Sequence, residues 1–205
     1  MREVDGQVRQ VVQVHIPRTA GSSMKVWALC QGFSYQSFHY QDKPTVFDPS
    51  VMWTYMGHAS LDSLKERGVT REWFDSCFSF AFVRNTWDRL VSLYEWHYHT
   101  RWYRREEIDF GKYVELVVSR PDHIPSQTSR IPDGVSFIGR YESLNEDWER
   151  LCKSAGLVHF PLTMRRRKST EHSDYRAYYT NQLCDTVARH YAEEIDRFGF
   201  VFDRG

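Results

Sequence analysis

No sign of charge is in excess in this 205-residue chain, where 27 Lys and Arg balance 27 Asp and Glu. Broad nucleic-acid binding usually carries a basic surplus, so that class is not expected. Cysteine is sparse. Cys30, Cys77, Cys152 and Cys184 form no C-x-x-C pair and fall in apolar segments. They read as reduced, buried thiols and not as a disulfide frame or a zinc site. Long apolar runs are also missing, since none approaches the about 18 residues that a membrane-spanning helix needs. The opening residues are polar and lack the apolar centre of a signal peptide. The expected location is therefore cytoplasmic. Repeats and low-complexity tracts are absent. There is no G-x-x-x-x-G-K-[ST] loop, which argues against a kinase-like phosphotransferase.

Aromatic residues are abundant, at 16% of the chain. The length fits one large domain, 1–205, with a substantial core. Val11, Val12, Val14 and Ile16 suggest a buried strand that ends at Pro17, with His15 as a structural residue inside it. Helical spacing then begins and runs to about residue 32. Short strands are expected at 35–39 and 53–57, then short helices started by Ser60 and Thr70. Residues 78–83 form a near-continuous apolar run, the mark of a central parallel strand. Asn85 caps a following helix, with Asp88 completing a capping-box pattern, and Trp87, Leu90, Val91 and Tyr94 form its apolar stripe. A further helix starts near Asp109, and 121–134 reads as an irregular loop. A strand at 136–141 precedes a helix that Ser143 and Glu146 would box and Gly156 would stop. The basic segment 161–173 reads as a loop. Leu183, Val187, Tyr191 and Ile195 predict one last helix. Strands alternating with helices imply a parallel sheet covered on both faces, with ligands at the carboxyl ends of its strands.

Two strand ends carry residues suited to anions. Arg18, Thr19, Ala20, Gly21, Ser22 and Ser23 form a loop of mostly small residues ahead of a helix. Free N–H groups and the positive dipole end of that helix would face the loop. Arg84 follows the strand at 78–83, and Ser92 stands eight residues later. A guanidinium and a hydroxyl can both donate to one phosphate. The basic cluster Arg165–Lys168 is the largest in the chain, and Arg167 and Lys168 are candidate anion contacts. No metal-ligand spacing is present.

Ile16–Ser23 resembles the 5′-phosphosulfate loop of sulfotransferases that use 3′-phosphoadenosine 5′-phosphosulfate (PAPS). Phe82–Ser92 resembles the 3′-phosphate motif of that family, including the Arg-to-Ser spacing. Phe137–Leu144 and the tail Ile195–Phe200 are similar to blocks of its carbohydrate branch, and Gly57-His58 resembles the Gly-His motif of the heparan sulfate 2-O-type enzymes. The resemblance implies a P-loop-like, three-layer α/β/α fold. It implies that residues 18–23 hold the phosphosulfate, that Arg84 and Ser92 hold the 3′-phosphate, and that His58 is the general base toward an acceptor hydroxyl or amine on a carbohydrate or small molecule. Histidine suits that role because it titrates near neutrality. His123 and Gln127 fall in a segment similar to a substrate-facing one. Arg18 departs from the family, which usually has Lys there, and the two are not interchangeable. The rival reading is a non-catalytic nucleotide- or glycan-binding module on the same fold.

Overall fold

The computed structural model describes residues 10–38, 47–57, 61–100, 102, 107–120, 122–162 and 174–204. They divide into two compact units. Met1–Val83 with Arg130–Arg165 makes the first, and Arg84–Ser129 with Arg166–Gly205 the second.

The first unit is built on five strands: β1 (Val11–Val14), β2 (Tyr35–Ser37), β3 (Trp53–Tyr55), β4 (Phe78–Val83) and β5 (Phe137–Arg140). They lie in the order β2-β3-β1-β4-β5 and every pairing is parallel. Helices α1 (Gly21–Cys30), α2 (Leu61–Leu64), α3 (Arg71–Ser76) and α7 (Leu144–Ser154) connect and cover the strands. All six residues of β4 are buried, as an apolar run in an interior parallel strand should be. The apolar face shared by α1 and α7 is largely aromatic. Trp27 of α1 meets Trp148 of α7 edge-on at 5.0 Å between ring centroids, and Trp53 meets Phe80 at 5.5 Å. Two of these indoles find partners, Trp53 donating to Gln13 Oε1 and Trp148 to the Phe160 carbonyl. Gly139 of β5 sits opposite Phe82, where a Cβ would come within 2.5 Å of the ring.

The second unit is helical: α4 (Thr86–His99), α5 (Phe110–Ser119), α6 (Gln127–Arg130), whose last residue falls in the first unit, α8 (Asn181–His190) and α9 (Ala192–Phe198). Asn85 caps α4 through the Trp87 and Asp88 N–H groups, and Asp109 caps α5 through Lys112. Tyr94 of α4 packs on Phe110 and Tyr113 of α5.

Several sequence expectations are corrected. The segment 121–134 is not wholly irregular, because Gln127–Arg130 forms a helical turn. The last helix is two, broken at Tyr191, whose hydroxyl donates to the Ile124 carbonyl. Cys30 is exposed, whereas Cys77, Cys152 and Cys184 are buried, and all four are free thiols. Burial pushes Cys77 up to about 11 and Cys152 up to about 12. Thr70 caps α3 as expected, while Ser60 lies outside the described residues. The Ser143–Glu146 capping box does not form. Ser143 makes no side-chain cap and donates instead to Asp147 Oδ2, which also accepts from the Arg140 N–H at 2.6 Å.

Asp147 therefore ties the end of β5 to the start of α7. Burial of its carboxyl works against ionisation, but hydrogen bonds from Arg150, the Arg140 N–H and Ser143 outweigh it and hold Asp147 below its ordinary value of 3.8. A carboxylate depressed by folding stabilises the fold above its unfolded pKa, and that contribution fades as pH falls through the folded pKa. Asp147→Asn is expected to cost roughly 2 kcal/mol at pH 7. The gap to wild type should narrow on acidification below 3.8, as read from chemical denaturation at a series of pH values. A gap that persists unchanged in acid would remove the charge from the account.

Candidate functional site

In the sheet order, β1 and β4 are neighbours, paired from Val11↔Phe78 to Val14↔Ala81. The chain leaves β1 toward β2 and β3 on one side and leaves β4 toward β5 on the other. That reversal is a topological switch point, the place where open parallel sheets receive ligands. Each of the two motifs picked out in the sequence begins at the carboxyl end of one of these strands.

The loop after β1 is strained. Arg18 (φ 72°) and Ala20 (φ 66°) are the two described non-glycine residues with positive φ, and Thr19 between them is not. Left-handed backbone at a residue with a Cβ costs about 1–2 kcal/mol, and such cost persists where surrounding structure demands it. Alternating φ of this kind turns successive N–H groups toward one side and makes an anion-binding concavity. Thr19 braces the turn by donating its hydroxyl to the Ile16 carbonyl at 2.8 Å. Helix α1 then starts at Gly21 with no side-chain cap and no acidic residue in its first turn. Thr70, Asn85, Asp109 and Thr180, by contrast, each cap their own helix. Ala20 cannot cap, so the positive end of α1 keeps its capacity for an external anion. Ser22 is exposed at this end and Ser23 is buried. Gly21 is required by packing, because a Cβ there would approach His15 Nδ1 to 2.6 Å. The His15 ring in turn lies 4.9 Å from that of Tyr55 in β3. His15 falls just past β1 and not inside it, as the sequence had suggested, and packs against the start of α1.

Several polar residues of the motif after β4 have definable partners. Arg84 is buried, and its guanidinium forms a two-point pair with Asp88, 2.7 Å from Nε to Oδ2 and 2.9 Å from Nη2 to Oδ1. Such a fork-to-carboxylate pair fixes orientation as well as charge. Asp88 therefore holds Arg84. Asn85 donates its amide to the Val201 carbonyl. Thr86 donates to Glu194 Oε1 at 2.7 Å. Arg89 is buried 3.7 Å from Glu194 Oε2. Ser92 lies fully buried in α4. The i, i+4 spacing of Arg84 and Asp88 was a legible signal for their pair. The part played by Glu194 and by Gln127 had no such signal.

Arg18, Thr19, Ala20, Gly21, Ser22 and Ser23 fall together in the loop and first turn of α1. Arg84 and Ser92 fall at the start of the second unit. Gly57, which follows β3, has φ 61°. His58, Arg167 and Lys168 lie outside the described residues. His123 is exposed, and Gln127 is fully buried among hydrogen-bond partners. Among the described residues, no helix is long and apolar enough to cross a membrane.

Among solved structures, this chain is similar to mouse sulfotransferase SULT7A1 complexed with PAP. The TM-score is 0.58 over 94% of this chain and 86% of that one, at 12% identity. The likeness is one of fold, and the fold is sulfotransferase-like α/β around a five-stranded parallel sheet. In sequence, an uncharacterized protein of Archaeoglobus fulgidus is 31% identical over 93 residues, which span 43% of this chain and 76% of that protein. The chain belongs to the same family as this archaeal protein. No protein-family model matches it.

The fit between Gly21 and His15 makes the loop testable by itself. Gly21→Ala is expected to destabilise the protein by about 1–3 kcal/mol through overpacking against His15. The readout is denaturant unfolding beside wild type. An unchanged midpoint would mean that the His15 ring moves aside without cost.

Proposed function

We propose that this protein is a PAPS-dependent sulfotransferase that moves a sulfuryl group to an acceptor hydroxyl or amine, on a carbohydrate or a small molecule. The observation that carries this reading is the uncapped α1 N-terminus behind a doubly left-handed loop, at the switch point of a sulfotransferase-like sheet. The residues of the loop after β1 fit the phosphosulfate end of the group. Backbone N–H groups of residues 19–22 suit the 5′-phosphosulfate, with Ser22 adding a hydroxyl and Arg18 a planar cation, while the Ser23 N–H donates to the Ala20 carbonyl. The Thr19 hydroxyl proton is committed to Ile16, so Thr19 contributes its main chain. Arg84, aimed by Asp88, takes the 3′-phosphate together with Ser92. Arg167 and Lys168 add positive charge on the same anionic ligand.

When bound, PAPS supplies an activated sulfuryl group on a phosphate leaving group. The chain's own residues do the remainder. His58 removes the acceptor proton, so that the acceptor becomes nucleophilic at neutral pH. Arg18 and the loop amides hold negative charge on the donor side, and most of the catalysis is positioning and electrostatics, as in phosphoryl transfer. Arg18 stays protonated throughout, so it acts by charge and hydrogen bonding and not as a proton donor.

Calorimetric titration with 3′-phosphoadenosine 5′-phosphate (PAP), with 5′-AMP and ADP as controls, tests the cofactor. PAP is expected to bind more tightly than either control, and Arg84→Ala to abolish that preference. Equal or absent binding of all three nucleotides would overturn the reading. With cofactor binding established, sulfate transfer to a panel of acceptors should be lost in His58→Ala while PAP affinity is kept. Binding without turnover in wild type for every acceptor would favour the non-catalytic module.

A further inference from the structure

Beneath the Arg84 motif, α4, α6 and α9 share a buried polar network. Glu194 of α9 is fully buried. Its Oε1 accepts from Thr86 at 2.7 Å and from Gln127 Nε2 at 3.0 Å, and its Oε2 accepts from the Gln127 N–H at 2.5 Å. The buried cation of Arg89 stands beside it at 3.7 Å and balances its charge. Burying such a pair is costly, and apolar residues of similar volume often stabilise a fold as well or better. Its hydrogen bonds have a definite destination. Gln127 Oε1 accepts from the Arg84 N–H at 2.9 Å, and Gln127 Nε2 donates to the Arg84 carbonyl at 2.8 Å. A single side-chain amide thus satisfies both main-chain groups of one residue, as a neighbouring strand would. That residue is the first one past β4, where the ladder ends.

Arg84 is therefore held twice, its main chain by Gln127 and its guanidinium by Asp88. Neither constraint alone sets where the cation sits. A fixed backbone leaves the long side chain free to rotate, and the pair with Asp88 leaves the backbone free to move. We propose that Gln127, oriented by Glu194, is a positioning residue for recognition of the cofactor's 3′-phosphate: it anchors the Arg84 main chain so that the Arg84–Asp88 fork is presented in one place. The role rests on the reading of Arg84 as the 3′-phosphate ligand.

Gln127→Met is the informative variant, because it keeps the volume and removes all three side-chain hydrogen bonds. Gln127→Ala serves as a second variant should the first fold poorly. Each is titrated with PAP and with 5′-AMP, which differ by the 3′-phosphate alone. Hydrogen exchange of the Arg84 amide is followed in parallel. The expected result is a loss of about tenfold or more in PAP affinity, little change for 5′-AMP, and faster exchange at Arg84. A merely structural residue would lower both affinities together with the melting temperature, and that outcome overturns the proposal. So does a PAP-to-AMP ratio equal to that of wild type. If wild type itself fails to distinguish the two nucleotides, the assignment of Arg84 falls, and the positioning role falls with it.

Discussion

The parallel pairing of β1 with β4 is the constraint on which the rest depends. Four successive residues of β1 stand against Phe78–Ala81, and all of these positions are buried. Parallel strands cannot be joined by a tight turn, so each must be followed by a crossover of a dozen or more residues. The crossovers leave in opposite directions, and that opens the edge of the sheet at its centre. A slip of one residue in this register would turn the Phe78, Phe80 and Phe82 side of β4 away from Trp27 and Trp148 and their core. Hydrophobic packing on the α1–α7 face thereby fixes the register of β1 against β4.

The two loops are stabilised in different ways. The first carries unfavourable backbone at Arg18 and Ala20, offset by the Thr19 bond to Ile16 and by the seat that Gly21 leaves for His15. Its helix start has no side-chain cap, and the Ser23 N–H turns back to the Ala20 carbonyl at 2.9 Å. The second puts little strain on its backbone and spends its polar side chains on one another: Asn85 on the helix start, Asp88 on Arg84, Thr86 and Arg89 on Glu194. Preorganisation of this kind lowers the ordering cost of binding. One loop thus leads into a helix start without a side-chain cap, and the other holds an oriented cation.

Much of the fold was legible because its signals are local. The apolar run of β4, the caps at Thr70, Asn85 and Asp109, and the short strands at Tyr35 and Trp53 are all written within a few neighbouring residues. The two loops at the ends of β1 and β4 were legible for the same reason. What escaped depends on tertiary partners. Ser143 and Glu146 match a capping box, but Asp147 competes for the serine hydroxyl. The apolar stripe through Tyr191 runs unbroken in sequence, yet the helix breaks there, where the ring is buried and its hydroxyl reaches Ile124. Glu194 looks like a solvated position between Glu193 and Ile195, and its burial follows from Thr86 and Gln127, more than sixty residues away. A segment read as irregular supplied the residue that clamps Arg84.

The free thiols differ in a way that has practical use. Cys77, Cys152 and Cys184 are buried, and desolvation holds all three well toward the protonated, unreactive form. Cys30 alone of the four faces solvent, on the last residue of α1. That helix begins at the loop after β1, about 15 Å away at 1.5 Å per residue. A maleimide dye or spin label should therefore attach to the native chain at one place, without prior mutagenesis. It would report on the loop from the far end of the same rigid rod, close enough to sense ligand arrival and too far to obstruct it.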